Sequence, residues 1–438
     1  MRPGGPRPRS PRPRSWGALL ATGLLVLVPT LAGVAANLSW ETRPGHRRAA
    51  ASPATAAPSP GERRVGFTSL GPSSTGVLFT NRLADERSLT NQIYLNGSGV
   101  AAGDVDGDGL CDLYFCGLDG DNALYRNLGG WRFEDTTARA GVACAGLAST
   151  GAALVDLDGD GALDLLVNAI GAGTRLFLGD GKGRFRDATV GSGLEARTGS
   201  ASFAIGDVDG DGRLDVYVVN YRSDTMRDMP GIAFTVGVTN GVRRLLTVDG
   251  RPADGPEWAG RFTFGPANGI LENGEPDALF RNLGGGRFER VPWGSAAFVD
   301  ERGQPVPAPF DWGLSAMFRD LDGDRAPDLY VCNDFQSPDR IWLNDGRGTF
   351  RAAPASMFRQ TSLFSMGVDF ADIDRDGHDD VFVADMLSRE HARRQVQVMN
   401  TTAARQSRQS NEARPQYSRN TLFRNRGAGS FAEIAQLA

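Results

Sequence analysis

Asp104-Val105-Asp106-Gly107-Asp108-Gly109-Leu110-Cys111-Asp112 sets four carboxylates at the first, third, fifth and ninth positions of nine residues. The same spacing starts again at Asp156, Asp207, Asp320 and Asp372, with start-to-start separations of 52, 51, 113 and 52 residues. The third gap is about two periods, so a fixed-period repeat organises the chain, and it must be read before any local motif.

Each nonapeptide lies between two apolar runs. A small-and-apolar run precedes it, as in Gly99-Val100-Ala101-Ala102, Ala201-Ser202-Phe203-Ala204 and Leu314-Ser315-Ala316-Met317. A β-branched or aromatic run follows: Leu113-Tyr114-Phe115, Leu165-Leu166-Val167, Val216-Tyr217-Val218, Leu329-Tyr330-Val331 and Val381-Phe382-Val383. Such residues favour a pleated surface, so each Asp loop is predicted to join two strands.

Further along each unit, a Gly/Asn/Asp turn ending on phenylalanine signals a second hairpin, as in Leu176 to Phe185. It recurs at Asn127 to Phe133, Asn282 to Phe288, Asn344 to Phe350 and Asn425 to Phe431. Four strands in roughly 50 residues describe a propeller blade. The predicted fold class is therefore all-β, a β-propeller over residues 65–438 with rim inserts at about 221–275 and 386–416. In the larger insert Trp258, Phe262 and Phe264 read as a small apolar cluster, with an aromatic ligand platform as the alternative. The smaller is glycine-free and holds Arg389, Arg393, Arg394, Arg405 and Arg408, an exposed helix or a docking surface for an acidic partner.

Carboxylates at alternate positions, a backbone carbonyl at the seventh and an Asp at the ninth offer a set of hard oxygen ligands, which selects calcium. The predicted ligands are Asp104, Asp106, Asp108, Leu110 and Asp112 in the first loop, and Asp156, Asp158, Asp160, Ala162 and Asp164 in the second. They are Asp207, Asp209, Asp211, Arg213 and Asp215 in the third, Asp320, Asp322, Asp324, Ala326 and Asp328 in the fourth, and Asp372, Asp374, Asp376, His378 and Asp380 in the fifth. Leu110, Ala162, Arg213, Ala326 and His378 would serve through their carbonyls. Arg325 and Pro327 break the pattern of the fourth loop, where weaker binding is expected, and Arg375 replaces a glycine in the fifth. An EF-hand would need a Glu at the twelfth position and flanking helices. The twelfth residues here are Phe115, Val167, Val218, Val331 and Val383, inside predicted strands.

The net charge of -5 conceals an asymmetry: the first 64 residues hold 10 Lys and Arg against 2 Asp and Glu, the remainder 37 against 50. An acidic body argues against a nucleic-acid surface and for bound cations. Arg2, Arg7, Arg9, Arg12 and Arg14 precede the apolar run Ala18 to Val28, and Val34 and Ala36 fit a cleavage site. Residues 1–36 thus read as a signal peptide or an uncleaved membrane anchor, and residues 37–64 as a flexible linker. The expected location is secreted, periplasmic or cell-surface, with the membrane reached only through that anchor.

At the Asp loops, at Leu124-Tyr125-Arg126-Asn127 and at Tyr417-Ser418-Arg419-Asn420-Thr421-Leu422-Phe423, the sequence resembles the FG-GAP or VCBS repeat family, and within it the cartilage acidic protein group with the ASPIC/UnbV ending. The resemblance implies an integrin-α-like propeller of about seven blades, calcium loops on one rim, and a role in adhesion, surface scaffolding or ligand binding toward an extracellular protein or glycan. The chain stops at Ala438 without an ASPIC/UnbV segment, so an incomplete propeller is expected. The rival reading is a polysaccharide-acting enzyme, a lyase or hydrolase on the same scaffold. The three histidines, His46, His378 and His391, lie in the linker, a loop and an insert, which argues against a His-based triad and for a non-enzyme. Cys116 and Cys332 hold equivalent positions and read as buried small residues, while Cys116 with Cys144 is a candidate disulfide.

Overall fold

The computed structural model describes residues 38–43, 46–51 and 67–435, apart from 266–268, 336, 387, 389, 391 and 394–413. The leader read in residues 1–36 lies outside them, as do His391 and most of the arginine-rich insert. Within residues 37–64, read above as a linker, Leu38–Arg43 pairs antiparallel with His46–Ala51, a hairpin that the composition does not announce. The chain divides into two compact units, Met1–Ser69 and Leu70–Ala438.

The second unit is built from β-sheets, and each Asp repeat opens one. The first sheet is Val100–Gly103, Asp112–Phe115, Ala123–Asn127 and Phe133–Asp135, paired antiparallel in sequence order. The second is Ser149–Val155, Asp164–Ala169, Gly173–Gly179 and Phe185–Asp187. The third is Ser200–Gly206, Asp215–Asn220, Ala278–Gly284 and Arg287–Arg290, the larger insert falling between its second and third strands. The fourth is Gly313–Arg319, Asp328–Asn333, Arg340–Asn344 and Phe350–Ala352, and the fifth Ser365–Ala371, Asp380–Asp385, Thr421–Asn425 and Phe431–Glu433. An unforeseen strand, Phe298–Val299, adds to the outer edge of the fourth sheet in parallel.

The second strands of the second, third and fourth sheets are buried on both faces, which is why they read as unbroken apolar runs and not as alternating ones. Their parity assigns the faces. Val216 and Val218 pack with Leu166 and Leu176 of the preceding sheet, whereas Tyr217 and Val219 pack with Leu329, Val331 and Trp342 of the following one. Tyr330 and Cys332 in turn meet Val381, Val383 and Phe423, and Tyr114 and Leu124 meet Leu165 and Val167. Four apolar cores therefore alternate with five sheets. Burying each such side chain contributes about 1.5–3 kcal/mol.

First strands of consecutive sheets adjoin one another. Gly151 makes this approach possible, because a Cβ there would stand 2.9 Å from the carbonyl oxygen of Ala201 in the next sheet. At the end of the second strand away from the Asp loop, two buried tyrosines close on carboxylates. Tyr217 Oη donates to Asp277 (2.9 Å) and Tyr330 Oη to Asp339 (2.8 Å). The larger insert forms its own hairpin, Phe234–Thr239 with Val242–Val248. Phe262 packs between Phe234 (ring centroids 5.0 Å) and the buried Trp258 (5.9 Å), so its aromatics form an apolar cluster rather than a platform.

Candidate cation sites

Each Asp loop begins one residue past the first strand, and its ninth residue opens the second strand, paired with the last residue of the first, as in Gly103↔Asp112 and Gly206↔Asp215. The first Asp folds the loop around itself. Asp104 accepts the amides of Gly107 (2.8 Å) and Gly109 (2.8 Å) on its two oxygens, and Asp156, Asp207 and Asp320 repeat both bonds. The third Asp accepts the amide of the seventh residue: Leu110, Ala162, Arg213, Ala326 and His378 donate to Asp108, Asp160, Asp211, Asp324 and Asp376.

These bonds need left-handed backbone at the sixth residue. Gly109, Gly161, Gly212 and Gly377 supply it at no steric cost. Arg325 adopts it too, at φ 75°, and its amide still reaches Asp320 at 2.9 Å. The irregular sequence of the fourth loop therefore changes its strain and leaves its shape. Arg375, at φ 63°, does the same for the fourth position of the fifth loop.

The ninth Asp is buried in every loop and clamps it to the sheet. Asp215 accepts Val208 N (3.0 Å) on one oxygen and Asn282 N (2.8 Å) on the other. Asp112, Asp164, Asp328 and Asp380 make the equivalent pairs with Val105 and Asn127, Leu157 and Gly179, Leu321 and Asn344, and Ile373 and Asn425. Burial pushes Asp164 and Asp215 up to about 6 and Asp328 up to about 7, and it also raises Asp112. Neighbouring carboxylates such as Asp158, Asp209 and Asp322 add to the push, while the two amides oppose it.

Carboxylate oxygens converge in all five loops. Asp104, Asp106 and Asp108 form one triplet with ligand atoms within 4.8 Å of one another. The others, on the same limit, are Asp156, Asp158 and Asp164; Asp207, Asp209 and Asp215; Asp320, Asp322 and Asp328; and Asp372, Asp374 and Asp380. The first two Asp residues thus belong to every triplet. The third joins it only in the first loop and the ninth only in the other four. Every donor is a carboxylate oxygen, a set that suits a hard divalent cation, and a cation would relieve the like-charge repulsion that adds to the effect of burial on the ninth Asp.

The asparagines that close the third strands of the third and fourth sheets are absent from the sequence-based ligand set, yet they tie loops together. Asn282 Nδ2 donates to Leu157 O (2.7 Å), a carbonyl of the preceding loop. A signal existed in the Asn that recurs before four of the five second-hairpin turns, at 127, 282, 344 and 425, but turn chemistry alone explained it. Elsewhere all four cysteines are free thiols, so the candidate Cys116–Cys144 bridge is not formed, and Cys144 Sγ instead lies 3.6 Å from Tyr114 Oη. Among the described residues no nucleophile, base and orienting acid are assembled, and His378 sits in the fifth Asp loop with its ring beside Gly427.

Asp-rich loops repeated at the head of successive antiparallel sheets define a class, and the model of the FG-GAP-like repeat matches residues 104–167, 156–218 and 320–383. The chain is an FG-GAP repeat protein, related at modest identity to cartilage acidic protein 1. It is 28% identical to that protein of Xenopus tropicalis over 204 residues, 45% of this chain and 31% of the relative. To that of Mus musculus it is 32% identical over 160 residues, 35% of this chain and 24% of the relative. The match therefore spans about a third or less of the relatives' length. Among solved structures, BBS1N from its complex with ARL6DN, soaked with lead, covers 65% of this chain and 74% of its own at 11% identity. Its TM-score is 0.29, too loose an overlap to carry an argument.

Proposed function

We propose that residues 65–438 are an arc of β-propeller whose five Asp loops bind calcium, and that the chain serves as an exported binding or scaffold module and not as an enzyme. The observation that carries this is the convergence of three carboxylates within 4.8 Å in each of five equivalent loops. The carbonyls of Leu110, Ala162, Arg213, Ala326 and His378 would complete the ligand sets. Adjoining first strands and sheets stacked face to face support the propeller reading. Residues 1–36 would export or anchor the chain, residues 37–64 would space it from the surface, and its ligand would be an extracellular protein or glycan. The relation to cartilage acidic protein 1, whose name places it in cartilage, supports that setting.

Because an unfolded chain cannot preassemble such sites, cation binding would add to folding stability. Five ions would return +10 to the acidic body. Thermal unfolding of the full chain in millimolar calcium against excess chelator tests the reading. Calcium is expected to raise the midpoint by at least several degrees, since a single site at a hundredfold excess over its Kd contributes about 2.7 kcal/mol. An unchanged midpoint overturns it.

A further inference from the structure

The five loops are not electrostatically equal, and the difference follows one strand position. The third strands align Arg126, Leu178, Arg281, Leu343 and Arg424, the residues that follow the cross-strand partners of Leu113, Leu165, Val216, Leu329 and Val381. In the first sheet Arg126 pairs with Asp106 and, at 2.9 Å, with Asp108. In the third, Arg281 Nε lies 3.7 Å from Asp209, and Arg213 pairs with Asp211. In the fifth, Arg424 Nε lies 2.5 Å from Asp374 and its Nη2 3.6 Å from Asp376. Asp106, Asp209 and Asp374 all belong to the carboxylate triplets.

The second and fourth loops have leucine at that place. Leu178 packs against the core between the second and third sheets, and Leu343 against that between the fourth and fifth. Among the described residues no Lys or Arg pairs with Asp156, Asp158 or Asp160, nor with Asp320, Asp322 or Asp324.

We infer that the arginines at 126, 281 and 424 are internal counter-ions that compete with calcium, so that the second and fourth loops fill first and the first, third and fifth only at higher calcium. This rests on the calcium reading above. A guanidinium beside the second Asp occupies the direction from which a cation draws most of its attraction. It must either leave or stay as a like charge, and a single and a double positive charge about 6 Å apart in a water-like medium weaken binding roughly tenfold. The strain at Arg325 does not reverse the order, because the strained loop still brings Asp320, Asp322 and Asp328 into their triplet.

Calorimetric titration of the calcium-free full chain with calcium tests this. The expected isotherm has two tight sites and three sites roughly tenfold weaker. Arg126→Leu is expected to move one site from the weak class to the tight one, and Leu178→Arg to move one the opposite way, so either variant suffices if the other fails to fold. A single class of five sites unmoved by both substitutions overturns the inference and leaves the calcium reading standing. No calcium uptake at all overturns both.

Discussion

Asn344, at the end of a third strand in the fourth sheet, donates its side-chain amide to the carbonyl of Val208 in the loop of the third sheet at 2.9 Å. The bond crosses from one repeat to the next, and Val208 is fully buried. The Asp loops are thus fastened to their neighbours as well as to their own strands.

Asn344→Ala is expected to destabilise the fold by about 1–3 kcal/mol, because it strands a buried carbonyl that no water can reach. Asn127→Ala should cost less, since Asn127 Nδ2 bonds only Cys111 O within its own repeat. Chemical unfolding of the two variants checks the order.

The ninth and the third Asp of one loop should separate stability from cation response. Asp215→Ala leaves the amides of Val208 and Asn282 without acceptors, an expected loss of about 2 kcal/mol or more even in chelator. Asp211→Ala removes a more exposed group, so its melting in chelator should stay near that of the parent while the gain from calcium shrinks. Melting curves with and without calcium distinguish them.

Arg325 holds a left-handed φ of 75° where the four other loops have glycine at positive φ in the same conformation. Such backbone costs a non-glycine residue about 1–2 kcal/mol, partly offset by the extra freedom of an unfolded glycine. Arg325→Gly should therefore stabilise the protein by up to about 1 kcal/mol, read as a higher denaturation midpoint with calcium binding by the fourth loop retained.

Asp277 and Asp339 give the stability a pH dependence of definite sign. Burial pushes both up to about 7, with Asp311 adding to the push on Asp277 and Asp385 to that on Asp339. A carboxyl that holds its proton more tightly folded than unfolded makes its full contribution below the ordinary value near ~3.9 and loses it as pH climbs through about 7. Melting in saturating calcium is expected to fall between pH 5 and pH 8. Asp339→Asn, whose Oδ1 can still accept Asn333 N while its Nδ2 donates to Tyr330 Oη, should flatten that slope.

What the sequence disclosed was whatever repeats. Asp at fixed spacing located the loops, and the β-branched runs after them located the buried second strands. The turn before each phenylalanine placed the second hairpins, with Asn127↔Phe133 and Asn425↔Phe431 paired as expected. What it hid depends on contacts between distant residues. Asp277 is 60 positions from Tyr217, and nothing local marks it as the acceptor of that hydroxyl. The strand Phe298–Val299 is too short to show a period, and the left-handed backbone of Arg325 runs against its own propensity. Arg126 and Leu178 share a position yet differ in charge, a contrast that becomes visible only once their strands are aligned.

The parity of the second strand carries a restriction on how this chain can change length. Slipping Asp215–Asn220 by one residue would turn Val216 and Val218 toward the side now filled by Tyr217 and Val219, spoiling two interfaces with a single insertion. Extra sequence is therefore tolerated only where register is reset, and the 221–275 excursion leaves immediately after Asn220, at the first residue free of that rule. Growth of the molecule is channelled to strand ends, and new surfaces arise there without disturbing the stack.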